Sequence, residues 1–280
     1  MDAAEVDGST AALVALKSGE FVKSRLAPLP DPLRRRLAWT MAVDTLRALS
    51  GAVDRVLVVS RQPSLASRLG RASLRVEVVA EDDRAGMNAA LTYGETTLRA
   101  AGVSTVLACV GDLPALRAES VRAILTLSRD HRRSFVPDAS GTGTTMLLSH
   151  GLALGPRFQG RSAAAHHASG ATRLEPPASG GSLADARRDV DTMVDLVDAA
   201  HLGLGPATTA LMGATGRLGT YQVITATDRL RPDGSREAIT SSGQRVALPT
   251  TALSDGLRSA RLGQRLHAVV EDGEVLSAWL

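Results

Sequence analysis

The sequence predicts an α/β fold, a mostly parallel sheet with helices on both faces, plus a small C-terminal β-barrel. Three observations carry this. Strand-like and helix-like segments alternate over the first two-thirds of the chain, as a parallel sheet with crossover helices requires. Residues 103–110 form an apolar run, the mark of a strand buried on both faces. Beyond residue 219 the chain changes to short alternating segments between turn residues, the pattern of a small barrel.

The elements follow in order. Residues 11–16 form a strand that ends at Lys17. After a loop containing Pro28, Pro30 and Pro32, residues 33–49 set Leu33, Leu37, Met41, Leu46 and Leu49 on or near one helical face. Strands are expected at 53–60 and 74–79, with a short helix at 63–69 between them. A helix at 86–100 is opened by Asn88, and the buried strand 103–110 runs into Gly111-Asp112-Leu113-Pro114. A helix at 120–127, strands at 134–136 and 144–148, and a helix at 192–200 follow. Residues 215–219 read as a linker, so the expected domains are 1–214 and 215–280. The tail strands are expected at 221–226, 238–240, 244–248, 265–270 and 274–279, with turns at Pro232-Asp233-Gly234, Ser242-Gly243 and Asp272-Gly273.

Composition narrows the function. With 44% hydrophobic and 22% charged residues in 280, the chain has the make-up of a folded protein. No apolar run reaches the roughly 18 residues of a membrane span. Residues 1–10 carry acidic groups and no basic one, unlike a secretory signal, and the single Cys109 leaves no internal disulfide. The cytoplasm is the expected compartment. The net charge is only +3 and aromatics are 2%, so neither a polyanion-binding charge block nor a base-stacking platform is present. Thirty of the 32 basic residues are arginine, and the two lysines, Lys17 and Lys23, lie together near the N-terminus. A lysine offers a compact point charge that a guanidinium does not replace in a tight phosphate site.

Ligands in open α/β sheets bind beyond the carboxyl ends of the strands, which draws attention to Lys17, Ser60, Asp112 and Asp138. Asp189-Val190-Asp191, if extended, presents both carboxylates on one face, about 7 Å apart. With Asp112 they make a hard-oxygen donor set suited to Mg²⁺ beside a phosphate; the other reading is a helix cap at Asp112 and a solvated turn. Gly141-Thr142-Gly143-Thr144 is either an anion-binding turn or an ordinary hairpin turn. Ser162 and His166 share a helical face if the segment is helical, although His166 alone, like His167 beside it, reads as a surface histidine. Asn88 reads as a helix N-cap, and Cys109 as inert packing. Arg25 and Arg36 read either as solvated face charges or, with the lysines, as partners for a triphosphate.

In this order, Lys17, Lys23-Ser24-Arg25-Leu26, Asn88, Gly111-Asp112-Leu113-Pro114, Gly141-Thr142-Gly143-Thr144, Phe158, Ser162, His166 and Asp189-Val190-Asp191 resemble the phosphoenolpyruvate/2-phospho-L-lactate guanylyltransferase family of deazaflavin coenzyme biosynthesis, in its actinobacterial form. The resemblance covers roughly residues 11–212. It implies a nucleotide-diphospho-sugar-transferase-like fold and transfer of GMP from GTP to the phosphate of a three-carbon acid, with loss of pyrophosphate. Phosphoenolpyruvate is favoured over 2-phospho-L-lactate, because the arginine-rich composition suits a GC-rich actinobacterium. The resemblance places the metal, Mg²⁺, on Asp112, Asp189 and Asp191. The acceptor falls near Lys17, Thr144, Gln159, Ser162 and His166, and the nucleotide near Lys23, Arg25 and Asn88. Lys17, Lys23 and Asp112 take the catalytic roles. It also implies that a following transferase receives the product. Gln159 stands where the family usually has glycine; a backbone contact survives there if φ is negative. Met193 replaces a usual proline.

The implied catalytic fold is of the Rossmann type, and the tail resembles cold-shock-like OB barrels in cadence. Its eight arginines face seven carboxylates and its aromatics are only Tyr221 and Trp279, so a packing or oligomerisation module is expected before an RNA binder. The alternatives are a sugar-phosphate or molybdopterin nucleotidylyltransferase, a silent scaffold whose barrel binds RNA, and a glycosyltransferase using Asp189-Val190-Asp191.

Overall fold

A computed structural model describes residues 9–16, 26, 31–80, 86–176, 182–215, 220–253 and 257–279. The chain alternates as expected through β1 (Thr10–Ala15), α1 (Asp31–Ser50), β2 (Arg55–Ser60), α2 (Leu65–Arg71), β3 (Glu77–Ala80), α3 (Met87–Ala100), β4 (Thr105–Cys109), α4 (Ala118–Ser128), β5 (Arg133–Pro137) and β6 (Thr144–His150). Then come α5 (Ser162–Ala168), the two-residue β7 (Thr172–Arg173), α6 (Ala184–Arg187), α7 (Met193–Leu202) and α8 (Pro206–Thr215).

The seven strands lie in the order β3-β2-β1-β4-β6-β5-β7. All neighbours pair in parallel except β6, which is antiparallel to both β4 and β5. That reversal brings the start of β6 to the carboxyl ends of β1 and β4. The period-two alternation of strand side chains divides the core. Ala12, Val14, Val58, Leu107 and Cys109 face Val43, Leu46 and Leu49 of α1 and Ile124 of α4. Leu13, Leu57, Val106 and Ala108 face Leu91 and Leu98 of α3 on the other side. Gly94 lets α3 approach closely, since a Cβ there would lie 2.4 Å from Leu13 Cδ1.

Buried carboxylates tie distant elements together. Asp44, in the middle of α1, accepts the amide hydrogens of Ala207 (3.0 Å) and Thr208 (2.7 Å) at the start of α8. Asp185 of α6 accepts from the Arg117 amide (3.0 Å) and the Ser120 hydroxyl (2.7 Å) at the start of α4. Each carboxylate fills amide donors that a helix leaves open at its first turn.

The tail is a closed five-stranded barrel of β8 (Thr220–Leu230), β9 (Arg236–Thr240), β10 (Arg245–Leu248), β11 (Arg265–Glu271) and β12 (Glu274–Trp279). Its cyclic order is β10-β12-β11-β8-β9, with β10 and β12 parallel and every other pair antiparallel. This is the strand order of an OB barrel. Ile224, Ala238, Val246, Leu266, Ala268 and Val275 fill its interior. Leu276 of β12 packs onto a separate apolar cluster that includes Leu37, Met41, Met193, Leu196 and Leu211. Among the described residues, no helix is long and apolar enough to cross a membrane.

Because Asp44 is almost fully buried, Asp44→Ala should lower stability by about 2 kcal/mol, the upper range for a helix-capping acceptor. Urea denaturation measures this; a loss under about 0.5 kcal/mol would mean that apolar packing alone holds α8.

Candidate active site

The described candidate residues gather where the carboxyl end of β4 meets the start of β6. Beyond β4, the Val110 amide donates to Thr145 O (2.9 Å). Gly111 is required by crowding, since a Cβ would lie 2.6 Å from Leu16 Cδ2. The Leu113 amide donates to Thr45 Oγ1 of α1 (3.0 Å), and Leu113 is fully buried. Asp112 is thus held on both sides and stands half-buried at the strand end.

The second carboxylate segment docks directly on it. The Val190 amide donates to Asp112 O (3.0 Å), and Val190 is fully buried. Asp189 and Asp191 flank this buried side chain and are both half-exposed, in keeping with the shared face expected of an extended Asp-Val-Asp. The segment is anchored downstream by a capping box. The Asp195 amide donates to Thr192 Oγ1 (3.2 Å), and Asp195 Oδ2 accepts from the Thr192 amide (2.9 Å) and the Asp191 amide (3.2 Å). Met193 opens α7 and is buried. Thr145 Oγ1 donates to Ala186 O (2.7 Å), which ties α6 to β6. Among the described residues, no three or more His, Cys, Asp or Glu side chains cluster closely enough to cage a metal by themselves. Cys109 is buried; burial, and then the charge of Asp112, push its thiol well up, so it remains a packed thiol.

Thr144 and His166, expected near the acceptor, belong to a second network. Thr144 opens β6 and lies 2.9 Å from His166 Nδ1. His166 is fully buried, which overturns its reading as a surface histidine; His167 beside it is exposed. Its Nε2 accepts the Arg157 amide hydrogen (2.8 Å). The Phe158 ring meets the imidazole edge-on at a centroid distance of 5.1 Å. Ser162, one turn earlier on α5, is also buried.

Asn88 is not the helix N-cap, which is Gly86. Its Oδ1 accepts the Phe158 amide hydrogen (2.8 Å) and its Nδ2 donates to Phe158 O (3.1 Å). Its amide therefore holds the loop before α5. Upstream, Arg133 donates to the Leu154 and Ser169 carbonyls, and Glu95 accepts the Leu154 amide (2.7 Å).

Gly141-Thr142-Gly143 is the hairpin turn between β5 and β6. The Thr142 amide is taken by Asp138 Oδ1 (2.9 Å) instead of facing an anion, while Thr142 O accepts from Ala163 of α5 (3.1 Å). Gln159 departs from expectation, since its φ is +89°. The condition of negative φ fails, and a side chain occupies the left-handed region that favours glycine. Lys17, Lys23 and Arg25 lie outside the described residues.

Sequence reasoning missed Thr45, Asp44 and Asp185. Each is a polar residue inside a helix, and only the partner brought by the fold distinguishes it from a surface position. The contact between Asn88 and Phe158 also had no local signal.

Relieving the strain at Gln159 should stabilise the protein: Gln159→Gly is expected to add about 1 kcal/mol. Chemical denaturation checks this, and a loss of stability would show that the glutamine side chain makes a compensating contact. Burial, then Arg133 and Arg157, push His166 down from 6.5 to about 4. The unfolded chain therefore takes up a proton that the folded chain refuses. The stability from this group is complete above pH 6.5 and is lost as the pH falls towards 4. Between pH 7 and pH 5 the native protein should lose about 2 kcal/mol more than His166→Asn. Equal losses in paired urea titrations would refute the assignment.

Comparison with known proteins bears on the family and the fold. The family described as guanylyl transferase CofC-like matches residues 10–174. A phosphoenolpyruvate guanylyltransferase of Salinispora arenicola is 43% identical over 207 residues, covering 72% of this chain and 92% of that protein. One from Geodermatophilus obscurus is 40% identical, covering 73% and 94%. The crystal structure of a protein described as a nucleotide-diphospho-sugar transferase, from Desulfovibrio desulfuricans G20, superposes with a TM-score of 0.57 at 16% identity, over 75% of this chain and 96% of that one, and so shares the fold. The barrel lies beyond the residues that the family description matches. Matched over more than half its length and accompanied by relatives at 40% identity or more, the chain belongs to the CofC-like guanylyl transferase family.

Proposed function

We propose that this chain transfers GMP from GTP to the phosphate of phosphoenolpyruvate, with release of pyrophosphate, as a step in making a deazaflavin coenzyme. The observation that carries this is the Val190–Asp112 backbone bond, which sets two carboxylate segments side by side at the strand ends. Thr144 lies at the same edge of the sheet. The names of the relatives favour phosphoenolpyruvate over 2-phospho-L-lactate.

The chemistry follows from charge. A phosphate oxygen of the acceptor forms a bond to the α-phosphorus of GTP, and the bond from that phosphorus to the bridging α–β oxygen breaks, with pyrophosphate leaving. The nucleophile is already anionic at neutral pH, so no base is needed. His166 accords with this, because its Nε2 holds an amide hydrogen and it is buried away from solvent. Catalysis then rests on bringing two anions together in line. Lys17, Lys23 and Arg25 are assigned to neutralising their charge, with Lys17 toward the acceptor and the other two toward the nucleotide.

Asp112, Asp189 and Asp191 offer only carboxylate oxygens, a donor set that fits a divalent cation of the Mg²⁺ type held jointly with substrate phosphates. Bound there, the cation would offset the charge of the phosphates. Thr144 and Ser162 are assigned to the acceptor; Gln159 is given no backbone contact with it, because its φ is positive. We assign the catalytic domain to 1–214, the barrel to 215–280, the compartment to the cytoplasm, and the recipient of the product to a following transferase. No role in binding nucleic acid is assigned.

Pyrophosphate release from GTP and Mg²⁺ should occur with phosphoenolpyruvate and not with 2-phospho-L-lactate, with the deazaflavin acceptor and its transferase added in a second series. Release with neither acid would turn the reading toward a sugar phosphate. Asp112→Ala should lower turnover at least about 100-fold with the fold intact by circular dichroism. Activity within about threefold of the native protein would remove Asp112 from the cation site.

A further inference from the structure

We infer that His166 is a positioning residue whose ring fixes the Thr144 hydroxyl as a hydrogen-bond donor toward the acceptor anion. The inference rests on the acceptor site proposed above and adds to it a residue that does not itself touch substrate.

The argument begins with the tautomer. A neutral imidazole has one N–H and one bare nitrogen. The Arg157 amide is a fixed donor, and it points at Nε2 from 2.8 Å. Nε2 is therefore the bare nitrogen, and Nδ1 carries the proton. Nδ1 lies 2.9 Å from Thr144 Oγ1, so the ring donates and the hydroxyl oxygen accepts. The opposite tautomer would draw the hydroxyl proton onto the ring and turn an oxygen lone pair outward. It would also bring two hydrogens together between Arg157 and the ring.

A substrate phosphate or carboxylate at neutral pH only accepts hydrogen bonds. A hydroxyl that presents a lone pair would repel it, whereas one that presents its proton binds it. The backbone amide, the imidazole and the hydroxyl thus form a chain of donors pointing one way, in which each bond polarises the next. The starting point is itself fixed. Asn88 grips both backbone groups of Phe158, the residue after Arg157. Arg133 and Glu95 hold Leu154 on the other side. The imidazole has little freedom to turn, since Phe158 packs on it edge-on at 5.1 Å and Phe135 lies 5.9 Å away. Burial and the neighbouring arginines keep the ring neutral at working pH.

Two measurements test this. The first is the nitrogen NMR spectrum of the full chain labelled in histidine, which reads the tautomer without activity. A proton on Nδ1 of His166 is expected, and a proton on Nε2 would overturn the inference. The second is steady-state kinetics of His166→Phe, His166→Asn, Thr144→Val and the double variant of Phe with Val. His166→Phe should raise KM for phosphoenolpyruvate about tenfold while KM for GTP stays unchanged. Asparagine, whose amide can donate in place of Nδ1, should recover most of that loss. In the Thr144→Val background, His166→Phe should add less than about twofold. Independent, multiplying effects, or equal rises in both KM values, would show a merely structural histidine and overturn the inference. If His166→Phe does not fold, the same cycle is run with His166→Asn, whose smaller effect must likewise vanish in the valine background. A native protein inactive with every acceptor would instead count against the proposed reaction, and the tautomer would still decide the inference.

Discussion

The hydrogen bond from the Val190 amide to the Asp112 carbonyl is the constraint on which the carboxylate side of the site depends. It joins the end of a central strand to a segment that reaches it only after β5, β6 and α5 have been laid down. The bond is between backbone groups, so it fixes position without occupying either carboxylate. Val190 buries its side chain beneath it, and this leaves Asp189 and Asp191 on the outer side. A buried backbone pair resists exchange with water more than a surface ion pair does, so the spacing of the carboxylate segments is set by the fold before any ligand arrives.

The same device recurs in the supporting structure. Asp44, Asp185 and Glu95 are buried carboxylates that accept backbone amide hydrogens from a distant segment. Each satisfies donors that packing alone would leave open, and each is directional where apolar contact is not. The two aspartates hold α8 and α4 around the carboxylate side of the site. Glu95, with Arg133 and Asn88, holds the loop that carries Arg157 to His166. This end of the sheet is therefore surrounded by polar contacts of long sequence range, while its two faces are covered by ordinary apolar packing.

The barrel has a different character. Its closure removes the exposed edges that a short sheet would otherwise present. Charge is partly paired on its surface, as between Arg245 and Glu237 at 2.6 Å. Leu276 anchors it to the cluster formed with α1, α7 and α8.

By itself the sequence determined the alternation of strands and helices, the OB-like tail and the order of the chemical groups. These are local properties, written in periodicity, turn residues and short motifs. It also led to the family through the ordered motifs that run from Lys17 to Asp191. Only the tertiary structure decided that β6 runs against its neighbours, that Asn88 serves the Phe158 backbone, that His166 is buried with both nitrogens engaged, and that Gln159 takes a positive φ. Those outcomes depend on partners far along the chain. A hydrogen bond between residues seventy apart, like that from Asn88 to Phe158, leaves no periodic trace in either segment, because its energy exists only once the sheet has brought the two together.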